Sequence, residues 1–343
     1  MGGDTRHFAT LAEDLRAHGG FNVRLVNTSR GAQHSSLPHN LRVTLTVLVA
    51  LCASWRRVRV VSFHASDRGM FLCGPLVVVI GRLLGMRVVL RLFGGSFGDF
   101  YADANPVAQW IMRRFILSSD AVLLQTQRMI HQLQPRCTGT LVWFSTYIGT
   151  SPHHAGKAPR EARDASATCD RFVFLGHLWR TKGIETILGA AGQLPARCTI
   201  DVYGPLDEYS AESINERGLG RVRYCGLLTH EQVEAALWDY DCLVLPTHHP
   251  GEGYPGVIAE AFAHALPVVT TRWLAIPEIV DDSCGILIEP ESTAEFLQAL
   301  LALHQDRDRW RRLKNGARSR ALQFDHAVWS RKFTDLCERL VHS

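Results

Sequence analysis

Glu252 and Glu260 stand in the run Glu252-Gly253-Tyr254-Pro255-Gly256-Val257-Ile258-Ala259-Glu260-Ala261, and their surroundings give two carboxylates different tasks. The apolar stretch Tyr240 to Pro246 reads as a buried strand ending at Pro246. Pro255 suits the first turn of a helix, where its missing N–H costs nothing and its φ is already helical. The N–H groups of Gly256, Val257 and Ile258 are then free at the positive end of the helix dipole, where an anionic phosphate can sit. Glu260, four residues after Gly256 on the same face, can accept two hydrogen bonds from a ribose diol. Glu252, with Gly253 and Tyr254 in the loop outside the helix, can face a sugar beyond the phosphates. A nucleotide-sugar has its parts in that order. The plain alternative is a loop charge and a solvated helix residue. The Gly-Tyr-Pro-Gly insert, the strand before it and the strand entry from Ala265 to Val269 argue against that.

A second constellation runs from Phe174 to Gly183, out of a buried strand and into a helix. Lys182 has a loop-to-helix position from which an ammonium can reach a diphosphate and neutralise charge on a leaving nucleotide. The chain has four lysines, at 157, 182, 314 and 332, against 33 arginines, which argues against a chance surface lysine here. A second cation can come from Arg180, or from His177 with one hydrogen bond and at most partial charge; a strand-end histidine is also often a packing residue. Gly94-Gly95-Ser96, after a strand ending at Phe93, allows close backbone approach to a ligand, or forms a plain turn.

Residues 252–261 resemble the signature of the family 4 (group 1) retaining glycosyltransferases of the two-domain GT-B type: Glu-Gly-aromatic-Pro, three or four residues, Glu-Ala. The resemblance covers nearly the whole chain and is strongest from Phe172 to Pro290. It implies a nucleotide-sugar donor held by the second domain and a glycan or lipid-linked acceptor bound by the first. It also implies retention of configuration with no metal, no other cofactor and no enzyme nucleophile, since leaving-group stabilisation and closure of the cleft can carry the barrier. Glu252, Lys182 and Arg180 are the catalytic candidates. The family's usual Arg after the glycine is replaced by His177, and its usual His before the glycine pair by Phe93. His64, at the end of the strand Arg59 to Phe63, is the nearest substitute by topology and joins the catalytic group. Leu274-Ala275 stand where Gly-Gly commonly precedes Ile276-Pro277-Glu278, so donor preference is expected to differ; Glu278 reads as a helix cap. Asp306-Arg307-Asp308 reads as a solvated helix face and not as a metal site. The rival readings are a sugar-nucleotide epimerase or phosphorylase on the same scaffold and a non-catalytic nucleotide-sugar-binding subunit. The small number of lysines argues against a pyridoxal-dependent phosphorylase.

The elements that must position these residues alternate strand and helix, which argues for an α/β protein of two doubly wound, Rossmann-like domains facing a cleft. The expected domains are 1–160 and 161–324, with a linker in Ser151 to Cys169. A helix from 325 to 343 is expected to return to the first domain through the stripe Val328, Phe333, Leu336, Leu340 and Val341. Strands are expected at Phe21 to Asn27, Arg59 to Phe63, Arg87 to Phe93, Ala121 to Leu124 and Thr140 to Trp143 in the first domain. In the second they fall at Phe172 to Leu175, Cys198 to Tyr203, Arg221 to Tyr224, Asp241 to Leu245, Pro267 to Thr270 and Gly285 to Ile288. Met1-Gly2-Gly3 leads directly into a helix from Asp4 to His18, whereas the family places a central strand before such a loop. The expectation is a polypeptide that begins upstream, with the amides of Gly2 and Gly3 near the phosphates once that strand is restored.

Hydrophobic content of 46% and charged content of 20% describe an ordinary globular protein. Nine cysteines, an odd number without a Cys-x-x-Cys pair, point to a reducing compartment and a cytoplasmic location. No stretch reads as a bilayer span. Residues 1–160 hold 18 Lys and Arg against 7 Asp and Glu, and residues 161–343 hold 19 against 26. The basic first half suits an anionic membrane surface carrying a lipid-linked acceptor, hence a peripheral contact with the inner face of the membrane. An Arg-rich composition is the alternative. No helix-turn-helix, zinc or aromatic-stacking pattern supports nucleic acid.

Overall fold

A computed structural model gives the fold, and it describes residues 3–17, 22–26, 37–149 and 168–342. The chain divides into two compact units, Met1–Gly149 with His326–Ser343, and Thr150–Asp325. Both are α/β units built on parallel sheets.

The first unit opens with helices α1 (Gly3–Ala17) and α2 (Leu37–Ala53). Its four-stranded sheet has the order β1 (Val60–Ala65), β2 (Arg87–Leu92), β3 (Ala121–Leu124) and β4 (Thr140–Trp143). The strands are dominated by Val, Leu and other apolar residues, as suits parallel strands covered on both faces. One face packs under α3 (Asp67–Leu83), α4 (Phe97–Ala102), α5 (Pro106–Ile111), a π-helical turn (Met112–Ile116) and α6 (Gln127–Leu133), with Met70, Val77, Val88, Leu90, Phe97 and Met112 at its centre. On the other face, Leu11 and Leu15 of α1 meet Val89, Leu123 and Phe144, together with Trp329 and Phe333 of the C-terminal helix His326–His342. The Asp14 carboxylate holds that helix to α1 through His326 Nδ1 at 2.8 Å and the Ser330 hydroxyl.

The second unit has strands β5 (Arg171–Leu175), β6 (Thr199–Tyr203), β7 (Val222–Tyr224), β8 (Cys242–Leu245), β9 (Val268–Thr271) and β10 (Gly285–Ile288). Their order across the sheet is β10-β9-β8-β5-β6-β7. This is the doubly wound order, with β5 and β8 side by side at the point where the winding reverses. The helices are α7 (Ile184–Ala190), α8 (Ala211–Arg217), α9 (His230–Leu237), α10 (Gly256–Ala263), α11 (Thr293–Gln305), α12 (Arg307–Ala321) and, in the first unit, α13 (His326–His342). Local chemistry sets their starts: Thr229 and Gln232 form a capping box on α9, and Asp306 caps α12 by accepting from Arg309 N. Asp306 thus separates α11 from α12 as a cap, where the sequence reading placed it on a solvated helix face.

The expected strand Phe21–Asn27 is not formed over its described part, 22–26, which has no ladder partner. Arg24 instead reaches the Ser54 hydroxyl at 3.1 Å. The linker expected in Ser151–Cys169 lies largely outside the described residues, as does Gly2, while Gly3 begins α1.

Gly316 sits inside α12, where alanine normally favours the helix by up to about 1 kcal/mol. A Cβ there would stand 1.8 Å from the Ser283 carbonyl oxygen, so backbone would have to move. Gly316→Ala is expected to destabilise by about 1–3 kcal/mol, read as a lower urea midpoint. A midpoint at or above wild type would contradict this packing.

Candidate functional site

The loops leaving β5 and β8 are joined before any ligand arrives. His248 N donates to Thr181 O at 2.7 Å. Gly183, at φ 87°, lies so close to β8's exit that a Cβ would stand 2.1 Å from Pro246 O, so only glycine fits. This approach brings Lys182, in the 3₁₀ turn Arg180–Lys182, to Glu252. Lys182 Nζ donates to Glu252 Oε2 at 2.6 Å, with 15% and 9% of the two side chains exposed. The Thr247 hydroxyl donates to the same oxygen at 2.9 Å. Glu252 Oε1 accepts nothing among the described residues. A pair this deep gains little net stability, but losing one partner strands a charge at about 3–5 kcal/mol.

α10 starts beside this pair. Pro255 is its N-cap and not part of its first turn, because ψ is 121° there. The Gly256 and Val257 N–H groups meet no acceptor among the described residues, and nothing lies within 4 Å of where a Gly256 Cβ would be. Ile258 differs from expectation: its N–H donates to Pro255 O at 3.0 Å and its side chain is fully buried, so two amides, not three, face outward. Glu260 follows one turn on, with His230 Nδ1 of α9 3.9 Å from its carboxylate. Gly253 and Tyr254 are buried in the loop, where the Tyr254 hydroxyl donates to Glu278 in the 3₁₀ turn Ile276–Glu278. Glu278 is therefore a strut for the Glu-Gly-Tyr-Pro loop.

The cations flanking Lys182 differ in their commitments. His177 Nδ1 lies 2.9 Å from Asp207 Oδ2. Arg180 exposes its side chain while its backbone N–H is held by Glu208 at 2.5 Å. Residues missed by sequence reasoning complete the floor: the His177 ring stacks on Trp179 at 4.6 Å, and Trp179 on His249 at 5.0 Å. Thr181 Oγ1 meets His249 Nδ1 at 3.0 Å, and Trp273 Nε1 donates to His249 O at 2.8 Å. Burial, then the Lys182 charge, pulls His249 below the usual histidine value. The signal available was Thr-His-His directly after an apolar strand. No group of three His, Cys, Asp or Glu arranged to hold a metal occurs among the described residues.

His64 and the glycine pair lie in the first unit. Gly94 takes φ 85° after β2, and the Ser96 hydroxyl next to the pair donates to Asp67 at 2.5 Å. His64 lies within β1, and its ring is packed edge-on against Phe8, Phe93 and Phe333. Its Nε2 meets Ser62 Oγ at 2.8 Å, while its enclosed Nδ1 has no partner among the described residues. The strand register turns the ring into the core between the sheet, α1 and α13, an enclosed position unlike that expected of a donor-facing group. Burial, followed by the Arg91 charge, holds it well below the usual histidine range. Arg91 is itself 2% exposed, with Tyr147 OH at 3.2 Å and the faces of Phe93, Phe144 and Tyr147 around it.

Two parallel α/β sheets with this topology have the fold of the GT-B glycosyltransferases. Residues 169–306, which contain the whole Lys182–Glu252–Glu260 constellation, match the family described as glycosyl transferases group 1. Among curated relatives, an amylovoran biosynthesis glycosyltransferase of Erwinia amylovora is 28% identical over 57% of this chain and 50% of its own length. A D-inositol 3-phosphate glycosyltransferase of Corynebacterium kroppenstedtii is 26% identical over 48% of this chain and 40% of its own. The chain thus spans half or less of these relatives. Among solved structures, sucrose-phosphate synthase of Thermosynechococcus elongatus superposes with a TM-score of 0.74 at 16% identity, covering 99% of this chain and 94% of that one. Anabaena HepE, solved in complex with UDP, gives 0.67 at 17% identity, covering 86% and 82%.

The two neutral histidines carry a pH dependence of definite sign. Between about pH 6.5 and the lower folded values, the unfolded chain takes protons that folded His64 and His249 do not, so stability falls as pH falls through that window. Urea midpoints at pH 7.5 and 5.5 should show this loss, and His64→Gln should reduce it. An unchanged difference in the variant would show that His64 protonates equally in both states.

Proposed function

We propose that this protein is a retaining, metal-independent glycosyltransferase that moves a sugar from a nucleotide-sugar to a hydroxyl of a lipid-linked or polysaccharide-precursor acceptor. The observation that carries the reading is the largely buried Lys182–Glu252 pair at the switch point beside the open N-terminus of α10. Names of the relatives support glycosyl transfer in polysaccharide biosynthesis, and the neighbour solved with UDP supports a nucleotide-sugar donor.

The donor's ribose lies on Glu260 and its diphosphate on the Gly256 and Val257 amides. Lys182 supplies the ammonium, with Arg180 or His177 as the second cation. Glu252, with Oε1 uncommitted, takes a sugar hydroxyl. As the glycosidic bond breaks, negative charge grows on the departing diphosphate, and Lys182 meets it without reorganising. The first unit supplies the acceptor, whose hydroxyl enters on the face the diphosphate leaves. It makes its contact with an anionic membrane surface peripherally; no helix among the described residues is long and apolar enough to cross a membrane.

The reading is tested by donor-dependent transfer in excess EDTA, with product anomers assigned by NMR. Transfer with retention is expected, whereas abolition by EDTA or inversion would remove that part of the reading. Glu260→Ala should weaken nucleotide-sugar binding tenfold or more, about 1.5–3 kcal/mol for lost charge-assisted bonds; an unchanged Kd by calorimetry would remove the ribose assignment. Lys182→Ala should lower kcat as well as kcat/KM, since its bond strengthens in the transition state. Wild-type kcat would leave it a ground-state contact only.

A further inference from the structure

In the first unit α2 packs on α3, and α3 on the π-helical turn that continues α5, so these helices make one layer over one face of the sheet. Their inner sides supply Leu51, Val77, Val78 and Met112 to the core. Their outer sides are also apolar. On α3, Leu72, Val79 and Leu83 follow one another at helical spacing and are 59%, 37% and 80% exposed. Leu45 and Val49 of α2 are similarly open, and Trp55, just past the end of α2, and Trp110 of α5 are each 53% exposed. A helix apolar on both sides calls for a second apolar phase, and contiguous exposed patches of this kind mark interaction surfaces. In the second unit the exposed large apolar residues, Leu206, Leu219, Leu227 and Leu322, lie singly in turns and loops.

The charge around the patch names the partner. Residues 37–96 contain eight arginines and a single acid, Asp67, which is turned onto the Ser96 hydroxyl. Arg56, Arg57 and Arg59 follow directly on α2, Arg82 lies on α3, and Arg113 and Arg114 lie on the π-helical turn; all are exposed, and none has a carboxylate partner among the described residues. Asp99 is occupied by Arg128 at 2.9 Å, and Asp103 is the exposed carboxylate nearby. Arg56 covers the Trp55 ring at 4.6 Å, and Trp110 meets Phe115 edge-on. Exposed leucine, valine, arginine and tryptophan on one helical layer match the interface of an anionic bilayer, where aliphatic side chains enter the acyl boundary, indoles sit at headgroup level and guanidiniums meet phosphates. A second copy of the same face would set arginine against arginine, and a nucleic acid would have no use for the aliphatic stripe.

We propose that the outer face of α2, α3 and α5 docks on an anionic phospholipid surface. This deepens the membrane contact of the reading above, which gives the acceptor to this same unit, while its geometry is independent of the donor site. The test is co-sedimentation of the full chain with phosphatidylcholine vesicles, with and without phosphatidylglycerol. Binding to the mixed vesicles alone is expected, weakening with salt. Each arginine near such a surface contributes a factor of about five to partitioning, so Arg56→Glu with Arg57→Glu should lower it at least about tenfold. Leu72→Glu with Leu83→Glu should do the same, while Leu219→Glu with Leu227→Glu on the second unit should not; circular dichroism melts establish that each variant is folded. The proposal is overturned if wild type does not sediment with mixed vesicles, or if both face variants sediment like wild type. It is also overturned if wild type is a dimer that Leu72→Glu with Leu83→Glu splits, which would make the face a self-interface. Calorimetry with UDP- and GDP-sugars, without vesicles, separates the two readings. Vesicle binding without sugar-nucleotide binding removes the glycosyltransferase reading and leaves the membrane face, and the reverse result removes only the face.

Discussion

The ion pair between Lys182 and Glu252 is the constraint around which the second unit is arranged. Neither charge tolerates burial alone, so the two loops that carry them must meet, and the doubly wound strand order makes this possible by setting β5 next to β8. Gly183 allows the loops to close to backbone contact, and Thr247 adds a hydrogen bond to the shared carboxylate oxygen. β9 braces the assembly from the other side, with the Thr270 hydroxyl on Leu245 O at 2.8 Å and Trp273 on His249 O. A phosphate entering at α10 would compete with Glu252 for the ammonium, so ligand binding and the position of the sugar-facing carboxylate are physically linked.

The first unit solves a different electrostatic problem. Arg91 is as buried as many core leucines and has no carboxylate partner among the described residues; its charge is spread against three aromatic faces and two oxygens. Cation–π contacts of this kind contribute about 0.5–2 kcal/mol each. Burial first, and then the positive charge held there, keep the neighbouring His64 well below the usual histidine range. Chemistry-bearing side chains in this unit are thus largely spent on packing, and its outward charge lies on the helical layer. The likeness to known proteins divides in a similar way: the family match is confined to residues 169–306, while the fold likeness extends over 99% of the chain.

Most strands were legible because strands of parallel sheets are short apolar runs bounded by breakers; β3, β4 and β10 fall where the runs Ala121–Leu124, Thr140–Trp143 and Gly285–Ile288 place them. Residues 22–26 misled, since an apolar, β-prone segment becomes a strand only where a neighbour offers ladder hydrogen bonds. Glu252, Lys182, Gly256 and Glu260 could be picked out in sequence because each lies at a strand exit or a helix start, where local rules are strong. The Trp179–His249 stack could not, since its two rings are 70 positions apart and meet only through the β5–β8 adjacency.

By itself the sequence determined the alternation of strand and helix, a helix beginning close to Pro255, and the residue types proposed to meet a phosphate or a ribose, though it set Pro255 inside the first turn where the structure makes it the N-cap. These follow from periodicity, proline geometry and side-chain chemistry, all of which act over a few residues. Tertiary structure alone decided that Lys182 and Glu252 share a hydrogen bond, that the Ile258 amide is spent and that Glu278 supports Tyr254. It alone also enclosed His64 among aromatic rings. Each of these depends on strand order or register, and those are set by burial and hydrogen bonding summed across a whole unit.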